Sequence, residues 1–496
     1  MPKFDVVIIG SGLGGLLCGN ILSKEGMNVC ILEKQNQFGG NLQTFKRDGK
    51  IFDTGIHYVG GLSEGQNTHQ YLKYFGIIDK LNLKRLDING FDKINFEGKT
   101  YSYAQGFDNF IETLANDFPA ERNALIEYVK KIREICDRFP LYNIRPNLGL
   151  DNELQYFETS IGDFLNSITQ NKTLQNVLAG NNMLYAGVQD KTPIGIHALI
   201  TNSLIESVYQ FVGGSQQVAD LLIETIKDNG GTLMNNSKVQ KLELNNGKIE
   251  SAILSNGDII EADNFISTIH PARTLEMTDT KMLRKSYRSR INELDETMSI
   301  FVLYVSLKPN SFKYQNSNYY HFNDDSVWNV SNYSSDRWPQ NFLFLTSPNT
   351  NSDEYAETAI AMSYMHYDDV KQWENSKIGK RGNEYEAFKK QKAEKLIEQI
   401  DQQYPNFSTS ISKYYTSTPL TIKDYTGSKY GSMYGIMHDS NNPLKTKISP
   451  KTKIPNLLLS GQNVNIHGFL GVTIGSVLTC TEMLGMEYLM KKIQNA

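Results

Sequence analysis

The sequence predicts an α/β protein in which a Rossmann-like domain, assembled from separate stretches of the chain, accompanies an α+β domain. Three observations lead to this prediction. A buried strand, a glycine turn and a helix open the chain; a helix and alternating strands follow Phe211; and a buried strand with glycines lies near the end. At 496 residues the chain is too long for one simple core, so two or more domains are expected.

The opening stretch has the pattern of a nucleotide-binding turn. Asp5–Gly10 (DVVIIG) is an apolar run typical of a buried parallel strand, and apolar residues at helical spacing follow it. The G-x-G-x-x-G pattern of Gly10, Gly12 and Gly15 lies between strand and helix. Such glycines permit a tight turn, a close approach of backbone to a pyrophosphate, and close packing of helix on strand. The free amides at the helix start would face the phosphates.

An acid ends the second predicted strand, NVCILEK, in the position that follows such a turn. Glu33 lies about 20 residues beyond the turn, where an acid binds a ribose hydroxyl pair. An acid here disfavours a 2′-phosphate, so FAD or NAD is favoured over NADP. The alternative is a glycine-rich turn without a ligand, which would not need Glu33.

The residues after Glu33 favour FAD. Gly39 and Gly40 precede a strand-like hairpin that ends in Asp53-x-Gly55. This arrangement resembles the second FAD contact of the FAD-linked amine oxidase and phytoene desaturase superfamily. Many members carry an arginine after the glycine pair, whereas this chain has Asn41.

The same resemblance extends to the middle and the end of the chain. A helix over Gln216–Asn229 and a hairpin around Asn256-Gly257 are expected, and the resemblance implies that this block returns to the FAD-binding domain. It also implies that the backbone of Val239 meets the adenine. NLLLSG is a further buried strand, and the helix predicted to open near Gly471-Val472 would then face the pyrimidine end of the flavin.

A narrower resemblance points to the polyene branch of the superfamily. Ser417–Asp439 contains Thr-Pro-Leu-Thr, an aromatic residue and Gly-x-x-Tyr-Gly, as do carotenoid isomerases and retinol saturases. The resemblance implies an FAD-dependent oxidoreductase acting on a C=C bond of a long apolar polyene, of the retinol saturase type first. Desaturation and cis–trans isomerisation stay open. Other flavoenzymes of this fold and non-enzymatic lipid-binding proteins of the GDP-dissociation-inhibitor type are the rivals; the intact glycine turn and Glu33 disfavour the latter.

The resemblance divides the chain into two predicted domains. Residues 1–62, 210–285 and 440–496 form the FAD-binding domain, and residues 63–209 and 286–439 form a substrate-binding domain with an apolar cavity. In the latter, strands are expected at Met298–Leu307 and Glu357–Tyr367, and a solvated surface helix at Glu384–Pro405. From Thr192 to Ala219 only Glu206 is charged, which predicts a buried core helix; a tunnel wall or a membrane-dipping helix are the alternatives.

Candidate site residues follow from these motifs. His57, His467 and Tyr430, with Tyr434 behind them, are candidates for proton transfer, because hydride addition to an alkene must be balanced by a proton. For both histidines the alternative is a role in shaping the flavin pocket. No metal site is expected. The expected FAD contacts are Gly10, Gly12, Gly14, Gly15, Glu33, Lys34, Gly39, Gly40, Asn41, Gly55, Ile56, His57, Val239, Gly461, Gln462, Gly471 and Val472.

Composition limits the partners and the compartment. A net charge of −4 gives no nucleic-acid footprint, and four scattered cysteines without C-x-x-C spacing fit a reducing compartment. No signal peptide and no run of 18 apolar residues is seen, so a cytoplasmic protein is expected, with peripheral membrane contact open. One dinucleotide pattern is found, so an external electron donor or acceptor is expected.

Overall fold

The computed structural model of the chain describes residues 3–146, 154–348 and 354–496. The strands are β1 Phe4–Ile9, β2 Val29–Leu32, β3 Thr44–Arg47, β4 Lys50–Asp53, β5 Val59–Gly60, β6 Leu83–Arg85, β7 Asp92–Phe96, β8 Lys99–Tyr103, β9 Val208–Phe211, β10 Thr232–Met234, β11 Val239–Asn245, β12 Lys248–Leu254, β13 Ile259–Ser267, β14 Ser299–Leu307, β15 Asn318–Phe322, β16 Asn341–Thr346, β17 Thr358–Met365, β18 Ile411–Ser417 and β19 Leu457–Leu459. The helices are α1 Leu13–Lys24, α2 Asn67–Phe75, α3 Phe107–Asp117, α4 Arg122–Asp137, α5 Gln155–Glu158, α6 Ile161–Ile168, α7 Lys172–Leu178, α8 Ile194–Glu206, α9 Gln216–Asp228, α10 Pro271–Glu276, α11 Lys285–Asn292, α12 Asn383–Gln403, α13 Phe407–Ser410, α14 Pro419–Thr426, α15 Pro443–Thr446, α16 Gly468–Leu484 and α17 Met486–Gln494.

The first large sheet is the predicted Rossmann-like one. Its strand order is β10-β2-β1-β13-β12-β11, and β19 also pairs with β13. The pairs β1–β2, β1–β13 and β13–β19 are parallel, whereas β11–β12–β13 form antiparallel hairpins. The central strand β1 is buried on both faces, which explains its unbroken apolar run Val6–Ile9. Segments that are far apart in sequence therefore share one sheet.

The second large sheet forms the floor of the other half of the molecule. Its order is β18-β14-β17-β16-β15-β7-β8, antiparallel except for the pair β15–β7. The predicted strands at 298–307 and 357–367 are present as β14 and β17, and the predicted helix at 384–405 is α12. The strands β15 and β16 were not predicted, because polar loops flank them.

One helix packs across the predicted division of the chain. The side chains of Tyr71, Leu72 and Phe75 on α2 are buried in the same core as Leu16 and Ile21 of α1. Helix α2 therefore packs against α1 and α17, because its buried face is largely apolar. The division into two domains stays a prediction.

Helix α8 is a core helix. Its apolar residues are buried on nearly every face, and Ala198, Leu199 and Leu204 belong to the core above the second sheet. This burial excludes the membrane-dipping alternative for α8. Among the described residues, none of the helices combines the length and the apolar character needed to cross a bilayer.

Candidate active site

A large cavity of about 1690 Å³ is lined by residues of both large sheets. One end is formed by glycine turns of the Rossmann-like sheet, and the other by apolar side chains of the second sheet and of α8. The predicted FAD contacts that line it are Gly10, Gly12, Gly14, Glu33, Lys34, Gly40, Asn41, Gly55, Ile56, His57, Val239, Gly461, Gln462, Gly471 and Val472. Gly15 and Gly39 lie behind this lining.

The first glycine turn combines open space with close packing. A Cβ on Gly12 would meet no protein atom within 4 Å, because this residue faces the cavity. A Cβ on Gly15 would instead overlap the carbonyl oxygen of Gly10, so this glycine lets α1 pack on β1. Gly14 lies against Gly461, where an added Cβ would be 3.0 Å from the Gly461 Cα. One turn thus leaves room for a ligand and joins two chain segments.

The second glycine segment packs on the first. The Gly39 N–H donates to the Ser11 carbonyl (3.0 Å), and a Cβ on Gly40 would lie 2.9 Å from the Gly12 Cα. Asn41 follows in a short 3-10 turn, Gly40–Leu42, and lines the cavity. Backbone therefore faces the cavity on both sides of Gly12.

Two helices point their N-termini at the cavity without a side-chain cap. Gly12, which has no side chain, is the N-cap of α1, and the side chain of His467, the N-cap of α16, does not bond the first-turn amides. Helix α16 begins at Gly468, slightly before the predicted opening near Gly471. Uncapped amides and the positive end of the helix dipole make each terminus suited to an anion or to developing negative charge.

Glu33 directly follows β2, at the edge of the sheet where it was predicted, and its carboxylate already accepts hydrogen bonds from the protein. One carboxylate oxygen accepts from the Ser11 N–H (3.0 Å) and Oγ (2.7 Å), and the other accepts from the Gln35 N–H (2.8 Å). A carboxylate has about four lone-pair sites, so it retains acceptor capacity for hydroxyl groups in the cavity. Val239 begins β11 beside it, and the Lys34 Nζ donates to the Asp424 carbonyl (3.2 Å).

The two predicted histidines both line the cavity, and neither ring makes a hydrogen bond within the described part of the chain. Both ring nitrogens of His57 and of His467 are buried and have no hydrogen-bond partner among the described residues. Burial lowers the pKa of His57 to about 4 and that of His467 to about 3, with a further contribution from His438 at His467. Both imidazoles are therefore neutral at pH 7, and their nitrogens stand ready for a ligand. The Tyr434 ring packs on His467 at a centroid distance of 4.8 Å.

Tyr430 does not join this group. Its backbone has φ 56°, a left-handed conformation, and its ring is 51% exposed and packs on Tyr367 outside the cavity. The candidate role of Tyr430 near the flavin is therefore corrected: the turn that carries it directs the ring away. Tyr434, four residues later, lines the cavity instead.

The far end of the cavity is a row of side chains across the second sheet. Val302, Met362, Leu343 and Tyr320 are cross-strand neighbours on one face of β14, β17, β16 and β15. The first three line the cavity, and Leu199, Ile200 and Leu204 of α8 line it from above. Helix α8 is thus both a core helix and a wall, and the space between it and the sheet is apolar.

Polar groups that the sequence did not reveal border the same space. Tyr58 lines the cavity, and its hydroxyl is hydrogen-bonded to the Tyr320 hydroxyl and 3.3 Å from Oδ2 of the buried Asp92. His270 also lines the cavity, and its Nε2 lies 2.9 Å from Glu296 Oε1. Only the placement of Tyr58 next to His57 offered a sequence signal.

Comparisons with known proteins agree with this geometry. A family model described as flavin containing amine oxidoreductase matches residues 13–479. The chain is 27% identical to an all-trans-retinol 13,14-reductase of Danio rerio, over 97% of this chain and 86% of that protein. It is 22% identical to a 4,4′-diapophytoene desaturase (4,4′-diaponeurosporene-forming) of Staphylococcus haemolyticus, over 61% of this chain and 63% of that protein. Among solved structures, an oxidoreductase from Methanosarcina mazei has a TM-score of 0.63 at 16% identity, covering 95% of this chain and 98% of that one.

Proposed function

The chain belongs to the flavin containing amine oxidoreductase family, and on that premise we propose that it reduces a carbon–carbon double bond of a long, apolar polyene. FAD is the cofactor of such an enzyme, and when bound it supplies hydride or electron transfer. The main support for the proposal is the continuous cavity. One end of it is lined by glycines and by the uncapped N-terminus of α1, and the other end is lined by apolar side chains. The retinol reductase and carotenoid desaturase names of the relatives support a polyene.

The residues at the glycine end fit FAD. The open space at Gly12 and the uncapped start of α1 suit the pyrophosphate, and Glu33 suits the ribose hydroxyls. Val239 is the proposed adenine contact. The neutral, unpartnered rings of His57 and His467 flank the remaining space, where the flavin ring is proposed to lie. The other predicted contacts that line the cavity are proposed to share this role.

The apolar end of the cavity suits a polyene because its floor and the side chains above it are apolar surfaces without charge. Val302, Leu343 and Met362 form its floor, and Leu199 and Leu204 lie above them. Burying a hydrocarbon between such side chains stabilises the complex by about 25 cal/mol per Å² of apolar surface removed from water. The same walls exclude water from the site of hydride transfer. This chain's own part is therefore to position the polyene and keep the site dry.

Electrons and substrate must reach this site from outside. We propose an external two-electron donor, because the sequence carries one dinucleotide glycine pattern and that pattern lines the cavity. We also propose peripheral contact with a bilayer, from which an apolar substrate would be taken up. Sedimentation with liposomes at low salt tests this contact; complete absence of the protein from the lipid fraction contradicts it.

One experiment separates the three reactions of the polyene branch. The purified flavoprotein is reduced without oxygen, all-trans-retinol and carotenoid polyenes are added separately, and the product mass is recorded. A gain of two hydrogens supports the proposed reductase. A loss of two with the oxidised protein indicates a desaturase, and an unchanged mass with a new retention time indicates an isomerase.

The flavin content of the purified protein is measured before its activity. We expect the purified protein to carry a flavin absorption spectrum, and the Gly12→Ala variant to carry less flavin at unchanged fold. A colourless wild-type protein that binds isoprenoid lipids without turnover contradicts the enzyme proposal and favours the lipid-binding alternative.

A further inference from the structure

A buried carboxyl group stands at the end of the apolar floor. Asp92 on β7 is fully buried, and its Oδ1 accepts from Asn318 Nδ2 at 2.9 Å. Its Oδ2 lies 3.5 Å from Asn181 Nδ2 and 3.3 Å from the Tyr58 hydroxyl. These hydrogen-bond partners are two amides and a phenol, none of which carries a charge at neutral pH. A carboxylate in such a place is costly, whereas a carboxylic acid is not.

Burial accordingly raises the pKa of Asp92 to about 7, against the hydrogen bonds from Asn318, Asn181 and Tyr58, which act in the opposite direction. The titratable groups that face this carboxyl are the phenols of Tyr58, Tyr320 and Tyr103. Burial holds the pKa of Tyr58 well above its ordinary value, so this phenol keeps its proton. Asp92 can therefore carry a proton near pH 7 and exchange it through a hydroxyl.

Tyr58 connects this group to the cavity. It lies between β4 and β5, directly after His57, and lines the cavity; its hydroxyl also bonds that of Tyr320. Tyr320 is the next member of the row Val302, Met362 and Leu343 along the sheet. A polar pair of phenols thus ends the apolar floor at the point where Asp92 is buried behind it.

Three histidines, His57, His467 and His270, also line the cavity. His57 and His467 are neutral at pH 7, as described above. His270 Nδ1 accepts from the Ala272 N–H, so the proton of its ring lies on Nε2 and is donated to Glu296. Glu296 also accepts a hydrogen bond from the Ser432 hydroxyl (2.9 Å). His270 and Glu296 are therefore already engaged in hydrogen bonds within the protein.

We propose that Tyr58 is the acid that delivers a proton to the alkene, and that Asp92, acting through the Tyr58 hydroxyl, is the positioning residue that replaces this proton. The inference rests on the proposed reductase function. The Tyr58 O–H bond breaks and one new C–H bond forms as the alkene π bond is lost. The second C–H bond would form with the hydride that reduced FAD supplies when bound, so that the flavin would be oxidised as the alkene is reduced. Asp92 returns a proton to the Tyr58 oxygen and regains one from solvent between turnovers.

The test uses the flavin-loaded protein and three variants: Tyr58→Phe, Asp92→Asn and, as a matched control, Tyr185→Phe. Tyr185 is also a buried phenol with a hydrogen bond, to His197 Nδ1, but it does not line the cavity. We expect Tyr58→Phe to lower turnover about 10²- to 10⁴-fold, the usual contribution of a general acid, at unchanged flavin content. Tyr185→Phe is expected to retain turnover.

The effect of Asp92→Asn is followed by two measurements, the pH profile of turnover and the infrared spectrum. Neither would change in the expected way if Asp92 had a purely structural role. We expect wild-type turnover to fall as pH rises through about 7, because Asp92 then loses its proton, and this limb to vanish in Asp92→Asn. Infrared spectra of the resting protein, which need no turnover, should show a carboxylic acid band that disappears through the same pH range and is missing in Asp92→Asn. Product formed in D₂O should carry deuterium at the carbon that receives the proton.

The outcomes separate this proposal from the one it rests on. A wild-type protein that reduces no polyene overturns the proposed function, and the proton assignment with it. Wild-type turnover that survives in Tyr58→Phe, or an infrared spectrum without the titrating acid band, overturns only the proton assignment. Should Asp92→Asn fail to accumulate, the turnover of Tyr58→Phe still decides, and the infrared titration is then compared with that of Asp53→Asn, because the pKa of Asp53 is also raised, to about 6.

Discussion

The two ends of the cavity are built from different material. At the glycine end, backbone faces the cavity: Gly12 and Gly40 touch each other, and the first turns of α1 and α16 offer uncapped amides. At the far end, side chains face the cavity, and the floor is a row that includes Leu343 and Met362. A backbone site recognises phosphates and a fixed cofactor, whereas a wall of side chains recognises shape and apolar area.

This difference predicts how each end of the cavity should respond to substitution. At the glycine end, even a methyl group changes either the fold or the binding of cofactor, depending on which way the Cβ would point. At the far end, most changes of side chain should leave the fold and the flavin in place and alter only the substrate.

The largest effect is expected for Gly15→Ala. Its Cβ would overlap the Gly10 carbonyl oxygen, so α1 must move off β1. We expect loss of bound FAD and a free energy of unfolding lowered by about 1–3 kcal/mol or more. Flavin absorbance per protein and denaturant unfolding measure the two effects. Gly12→Ala is the control: it should lose flavin and keep its stability, and equal behaviour of both variants would contradict the contrast within this turn.

Leu343→Trp should narrow the apolar floor. We expect normal flavin content and a kcat/KM for the polyene lowered about tenfold or more, since a shape mismatch of a few atoms has at least that effect. Steady-state kinetics with retinol as substrate measure it. Ile259→Trp, at an apolar residue of β13 that is 56% exposed, is the control and should leave kinetics unchanged. Loss of flavin from Leu343→Trp would show that the two ends are not separable.

A smaller effect, confined to stability, is expected for Asp53→Asn. Asp53 Oδ1 accepts from the Ser215 N–H and Oγ, both at 2.7 Å, and burial raises the pKa of Asp53 to about 6. Because the folded state prefers the protonated form, wild-type stability falls as pH rises from about 4 to about 6 and is constant above. We expect this fall, about 1–3 kcal/mol, to be missing in Asp53→Asn. Unfolding curves at several pH values compare the two proteins, and a pH dependence of stability unchanged by the substitution would contradict the prediction.

The smallest effect is expected for His57→Gln and His467→Gln. Both rings are neutral above pH 5, so their protonation cannot set the rate near pH 7. Turnover should stay within about twofold of wild type, with the same pH profile between pH 6 and 8. A loss beyond about tenfold at full flavin content would assign proton transfer to a histidine after all.

The same contrast explains what the sequence could reveal. The glycine end was predictable because its signal is local: Gly10, Gly12 and Gly15 lie within six residues, and Glu33 closes the adjacent strand. Backbone contacts require glycine, and glycine spacing is visible in a linear chain. The roles of these residues toward FAD stay predictions, but the convergence of Gly10, Gly12 and Glu33 on one cavity is what the motif required.

The far end was not predictable residue by residue. Val302, Leu343 and Met362 become neighbours only through the pairing of β14, β16 and β17, and nothing in their local sequence distinguishes them from any buried strand. Tyr430 shows the opposite problem. The motif that contains it was visible, but the left-handed backbone that turns its ring outward was not.

The contact of Gly14 with Gly461 also has a consequence for how the protein is made. Helix α1 packs on α16, and β13 pairs with β19, so the first glycine turn is finished by a segment more than four hundred residues later. At about 5–20 residues per second, a ribosome needs roughly 20 to 90 s to travel that far. Until then the N-terminal turn is an unfinished half-site. Capture of flavin by a nascent chain would therefore report that translation has passed α16.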